Sequence, residues 1–100
     1  MALDTGSTRT VVDPDRLSSV GVEVDERSVS LPITTASGVS EAQLVNVPRL
    51  QTLGSEWVNI AVARYRLPSE TRFDGLLGLD LLRDARLTID FRSGSISAVR

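Results

Sequence analysis

Apolar and polar positions along this chain alternate mostly with a period of two, the spacing of a strand with one face covered. From Ser28, the apolar residues Val29, Leu31 and Ile33 alternate with Ser28, Ser30 and Thr34. Pro32 interrupts that run and favours an edge strand, because proline has no N–H to give to a ladder. Ala36-Ser37-Gly38 offers small residues for a hairpin turn, and a second extended run continues to about Leu50. Leu53-Gly54-Ser55 marks another turn. Glu56 to Ala63 reads as a strand with Val58, Ile60 and Val62 on one face and Trp57, Asn59 and Ala61 on the other. Leu87, Ile89 and Phe91 alternate again, Arg92-Ser93-Gly94 turns the chain, and a last strand runs from Ser95 to Val99. Thr10-Val11-Val12 is β-branched throughout and should be extended.

Helical signals are brief. Asp13-Pro14 reads as an N-cap followed by proline at the first helical position, and Gly21 is a stop, which predicts a short helix over Pro14 to Ser19. Asp80 to Asp84 has helical character with Leu81 and Leu82 turned inward. Arg66 to Arg72, containing Pro68 and Ser69, reads as a surface loop. No tandem repeat, linker or low-complexity segment breaks the chain. Many short strands between regular turn signals predict an all-β fold, a closed or partly open β-barrel with one or two short helices.

Composition narrows the chemistry. One hundred residues suffice for a single domain, 1–100, with one modest core. Apolar residues at 41% and charged residues at 24% are the balance of a globular protein. No apolar run approaches the ~20 residues that span a bilayer, and no charged-then-apolar leader opens the sequence. The net charge of −2 is too small to select a partner. All basic residues are arginine and they are scattered. Arg64 and Arg66 fall on one expected strand face, which reads as a solvated edge, so no nucleic-acid partner is expected. With no cysteine there is no disulfide and no thiolate nucleophile, which is compatible with a reducing compartment. With no histidine the chain lacks the usual base of serine and cysteine hydrolases and the commonest ligand of catalytic zinc. A Walker-type phosphate loop needs a lysine. Acid–base chemistry therefore falls mainly to carboxylates.

Asp4-Thr5-Gly6-Ser7 stands directly behind Ala2 and Leu3, and far along the chain comes Phe73-Asp74-Gly75-Leu76-Leu77-Gly78-Leu79. Taken alone, Asp-Thr-Gly is a set of ordinary turn residues. Together the two stretches resemble the paired sequence marks of aspartic proteases, above all the single-domain retropepsin-like branch. The resemblance runs from about Leu3 to about Phe91.

That resemblance implies a retropepsin-like barrel working as a homodimer on a peptide or protein substrate, with no metal and no organic cofactor. Asp4 is the expected catalytic residue, one copy from each subunit. Two carboxylates held close share a proton, so the pair supplies base and acid together. Thr5, Gly6 and Ser7 are expected to support the loop. The Thr5 hydroxyl would bond the opposite copy, the Gly6 N–H would hold the Asp4 carboxylate, and the Ser7 hydroxyl would orient it. Leu76 and Leu77 would pass under the loop, with Gly78 permitting a close crossing. The hairpin carrying Thr35, Ala36, Ser37 and Gly38 is the candidate flap. Asp74, before a glycine, reads as a turn residue, and Asp13/Asp15 and Asp25/Glu26 read as caps and solvated turns. Viral relatives carry an arginine after the apolar-apolar-glycine mark and an aspartate partner in the loop. Leu79 and Thr8 stand there, so dimer contacts should differ. Relatives also place one or two strands, roughly twenty residues at ~3.3 Å each, before the aspartate loop. Only three residues precede Asp4, and the expectation is a piece of a longer protein. The alternative reading is a non-catalytic retropepsin-like domain for dimerisation or for holding an extended peptide by strand addition.

Overall fold

The computed structural model describes residues 1–22, 28–35, 38–68 and 73–100. Ala36 and Ser37 of the expected turn, the Asp25/Glu26 pair, and Ser69 to Arg72 of the expected loop lie outside these residues. Strand β1 (Ala2–Leu3) leads into the Asp4 loop and β2 (Val11–Val12) leaves it. Helix α1 (Pro14–Ser19) follows. Strands β3 (Ser30–Thr35), β4 (Gly38–Thr52) and β5 (Ser55–Arg64) form a meander. Then come β6 (Gly75–Leu77), helix α2 (Leu79–Leu82), and the hairpin of β7 (Arg86–Asp90) and β8 (Ser95–Val99). The fold is all-β with two short helices, as the alternation and turn signals predict.

Local chemistry sets the element ends. Asp13 is extended, with φ −63° and ψ 138°, and its Oδ1 accepts the Asp15 N–H at 3.0 Å, so α1 starts on a side-chain cap. Pro14 occupies the first turn, where its missing N–H costs nothing. Gly21, at φ +79°, ends the helix by turning the chain left-handed, and the Val22 N–H returns to the Leu17 carbonyl at 2.9 Å. The β4–β5 turn is tighter than the expected three residues. Ser55 already pairs with Thr52, leaving Leu53 and Gly54 at φ +53° and +77°, the backbone of a type I′ hairpin. In β5, Asn59 is also left-handed, at φ +51°. It stands opposite Pro48, which has no N–H to offer.

The six strands β1 to β6 form one sheet in the order β1-β6-β2-β5-β4-β3. Strand β2 runs parallel to β5 and antiparallel to β6, while β1 runs parallel to β6. Successive side chains serve opposite faces. Val12, Val45 and Val62 pack beneath Leu17 of α1. Their neighbours Val11 and Ala63 join Ile33, Ala42 and Leu67 in a second cluster. A third gathers Trp57, Leu77, Leu81, Leu82 and Ala98. Strand β3 is an outer strand, with Leu31 and Ile33 turned in and Pro32 and Thr34 exposed. Val29 departs from the expected alternation. It precedes β3, its carbonyl accepts the Leu44 N–H at 2.8 Å, and its side chain is exposed.

The sheet curls until its two ends meet through the loop after β1. The Thr8 N–H donates to the Thr34 carbonyl at 3.0 Å, and the Thr34 N–H to the Thr8 hydroxyl at 3.4 Å. The barrel is therefore partly open, bridged at one point. Strands β7 and β8 form a separate two-stranded sheet. It docks through the Ala98 N–H on the Leu53 carbonyl at 3.0 Å and the Ser55 hydroxyl on the Ala98 carbonyl. Of its expected inward face only Leu87 is half-buried. Ile89 is exposed, and Phe91, 91% exposed, stands in the turn past the end of β7, because this ribbon projects beyond the core it could pack on. Arg66 also falls outside its expected strand face, beyond the end of β5. Among the described residues no helix is long and apolar enough to cross a membrane.

Candidate active site

The Asp4 loop is built on a crossing. Leu3 pairs with Leu77 in the β1–β6 ladder, and the Asp4 N–H extends that ladder to the Leu77 carbonyl at 3.0 Å. The Ser7 N–H then closes a turn on the Asp4 carbonyl at 3.2 Å. Within the turn, the Gly6 N–H donates to Asp4 Oδ1 at 2.9 Å. A side chain at Gly6 would meet that same oxygen at 3.2 Å, so glycine leaves the carboxylate room to fold back on the amide. Asp4 is half-buried, and Thr5 and Gly6 are exposed. The loop thus presents one carboxylate, held on one oxygen by a backbone donor, at the rim of the sheet.

Ser7 is placed differently from its expected role. It is fully buried, and its hydroxyl donates to the Arg9 carbonyl at 2.6 Å rather than to Asp4. Its own carbonyl accepts the Leu79 N–H at 2.9 Å. The serine fastens the loop to what lies under it.

Leu77 is 1% exposed and packs with Trp57, Leu81 and Leu82, while the half-buried Leu76 packs against the Val11 cluster. Gly78 lies where the two chain segments are closest. A Cβ there would stand 2.4 Å from the Arg9 carbonyl carbon and oxygen and 2.8 Å from the Thr10 nitrogen, so only hydrogen fits. Just beyond, Asp80 does what no sequence signal assigned to it. Its Oδ1 accepts the Thr10 N–H at 2.9 Å and the Thr10 hydroxyl at 2.8 Å. The Thr10 hydroxyl oxygen accepts the Gly78 N–H at 3.0 Å. An acid two residues after Gly78, with a hydroxyl residue just before Val11, is the trace this link leaves in the sequence.

The candidate flap is the β3–β4 hairpin. Thr35 pairs with Gly38 at its described end, and Gly38 has φ +121°. Its base is fixed by Ile33, which is buried, by the Ser40 and Tyr65 hydroxyls 3.1 Å apart, and by the Thr8–Thr34 contacts.

The other acids singled out from the sequence serve the start of α1. Asp13 caps the helix and its Oδ2 accepts the Leu67 N–H at 3.2 Å. Asp15 accepts two bonds from the Arg66 guanidinium, at 3.2 and 3.3 Å. That hydrogen bond, aided by the positive charge, holds the Asp15 carboxyl below its ordinary range. Asp74 pairs with Arg16 at 3.3 Å, and its carbonyl accepts the Asp13 N–H at 2.8 Å. Among the described residues no three His, Cys, Asp or Glu side chains gather as metal ligands.

A curled sheet, an aspartate turn and a buried apolar-apolar-glycine strand crossing beneath it define the class of retropepsin-like aspartic proteases. The aspartyl protease family model matches residues 1–81, and the chain belongs to that family. No curated protein and no solved structure matches it.

Proposed function

We propose that this chain is an aspartic endopeptidase that acts as a homodimer, with one Asp4 from each copy forming the catalytic pair. The observation that carries the proposal is the Asp4 turn, whose carboxylate is half-buried and held on one oxygen by the Gly6 N–H. Residues 1–100 hold one Asp-Thr-Gly, and in this reading a second copy of the chain brings the second carboxylate of the same kind. Brought together, two carboxylates retain one proton between them, because both cannot ionise easily at short range. The ionised member takes a proton from water as the water oxygen attacks the peptide carbonyl carbon. The protonated member gives its proton to the carbonyl oxygen. Collapse of the tetrahedral intermediate breaks the C–N bond and returns a proton to the leaving nitrogen. The exposed Thr5 hydroxyl is available to bond the opposite loop, and the β3–β4 hairpin would close over an extended peptide.

Asp4→Asn keeps the size of the side chain and removes the proton the pair shares. Cleavage of a fully unfolded protein should fall on the order of 10²–10⁴-fold, and a statine-type mimic of the tetrahedral intermediate should block the wild type. Equal cleavage by both chains would remove Asp4 from the mechanism, and cleavage by neither would favour a domain that binds peptides without cutting them.

A further inference from the structure

The Asp4 loop is pinned to the segment beneath it at three places. At its entry the Asp4 N–H bonds the Leu77 carbonyl, and at its middle the Leu79 N–H bonds the Ser7 carbonyl. Its exit is held by Thr10, and there the pin is a side chain. Asp80 Oδ1 accepts both donors of Thr10, the N–H at 2.9 Å and the hydroxyl at 2.8 Å, and also the Leu81 N–H at 2.9 Å. With its proton committed to Asp80, the Thr10 hydroxyl can only accept from Gly78, and it does so at 3.0 Å. Thr10 is fully buried and Gly78 is buried against the Arg9–Thr10 backbone. Water therefore has little access to replace these bonds. Bonds to a carboxylate are stronger than those between neutral groups, and a linked set reinforces itself.

We infer that Asp80 is a positioning residue for Asp4, fixing the exit of the loop through Thr10 so that the carboxylate is presented in one geometry. This rests on the peptidase reading of Asp4. Asp80 makes no bond to Asp4 itself. The connection runs along the backbone from Thr10 to Ser7, stiffened by the Ser7 hydroxyl on the Arg9 carbonyl at 2.6 Å. Acid–base catalysis tolerates only small misplacement of the reacting groups. A loop held at its entry and middle but loose at its exit would still bind peptide and would cut it slowly.

The test compares wild type, Asp80→Ala and Asp80→Asn, separating kcat from KM on a fully unfolded protein substrate and following amide hydrogen exchange. An amide oxygen can still accept from the Thr10 N–H and hydroxyl in place of Asp80 Oδ1, and a methyl group cannot. Asp80→Ala should lower kcat by roughly ten- to a hundredfold with KM within about twofold. Asp80→Asn should stay within about threefold of wild type. Exchange at Thr10 and Gly78 should speed up about tenfold or more in Asp80→Ala alone. Wild-type kcat and exchange in Asp80→Ala would overturn the inference, and so would equal kcat losses in both variants. If the wild type cleaves nothing, the peptidase reading fails by itself, and the exchange comparison still decides whether Asp80 fixes the loop. If Asp80→Ala does not fold, Thr10→Val takes its place: faster exchange at Gly78 with reduced kcat supports the inference, and wild-type values for both overturn it.

Discussion

At Gly78 a single hydrogen atom decides whether the chain can cross itself. Alanine there would drive a methyl group to 2.4 Å from the Arg9 backbone, which neither segment can yield without breaking the Gly78–Thr10 bond. Gly78→Ala should therefore cost about 3 kcal/mol, read from the midpoint of urea unfolding. Gly6 is the contrasting case. It is exposed and its only close neighbour is Asp4 Oδ1, at 3.2 Å. Gly6→Ala should shift stability by no more than about 0.5 kcal/mol while reducing kcat, because the carboxylate must give way. Stability loss at both positions, or at neither, would contradict this division between a structural and a functional glycine. The same scale explains how the loop is fastened with Thr8 and Leu79 at the places where viral relatives keep a charge pair. The charge sits one residue further on, at Asp80, and its partner is the neutral Thr10.

The element that ties sheet to site is the β3–β4 hairpin. Its buried anchor is Ile33, and its polar anchor is the Ser40–Tyr65 contact at 3.1 Å. Removing the phenolic oxygen in Tyr65→Phe should cost about 1 kcal/mol and speed amide exchange along Val39 to Glu41, measured against wild type at the same pH. Unchanged exchange would mean that Ile33 and the Thr8–Thr34 bonds hold the hairpin without the Tyr65 hydroxyl. Elements governed by neighbours in sequence were legible beforehand. The two-residue period gave β3 and the extent of β5, but not the faces of β5: beside the left-handed Asn59, Val58 is exposed while Trp57 is buried and packs in the cluster that Ile60 also joins. Asp13-Pro14 gave the start of α1, and Pro32 put β3 at an edge. Contacts between distant segments were not. Nothing local pairs Asp80 with Thr10 or brings Thr8 against Thr34. The alternation of Leu87, Ile89 and Phe91 likewise states that β7 has an apolar side, but not how far the core extends to meet it. Asp4 was legible as a candidate because its motif is contiguous, whereas the residues that hold its loop are spread over both halves of the chain.

As a whole, the molecule is a curled sheet whose outer strands are joined through the loop that carries Asp4. Packing on both faces of the sheet fixes the crossing of Leu77 and Gly78, and that crossing fixes the turn. The architecture makes one carboxylate per chain, while the proposed chemistry needs two, so the central claim is a statement about pairs of molecules. Mixing measures it directly. Wild-type chain is held at a constant concentration at which it is fully paired, increasing amounts of Asp4→Asn are added, and peptide cleavage is followed after exchange of subunits. Mixed pairs carry one ionisable group and cannot share a proton. Activity per wild-type chain should then fall to about half at equal amounts and continue towards zero in excess. Activity that stays constant however much Asp4→Asn is added would show that a single chain cuts peptides alone, and would contradict the account.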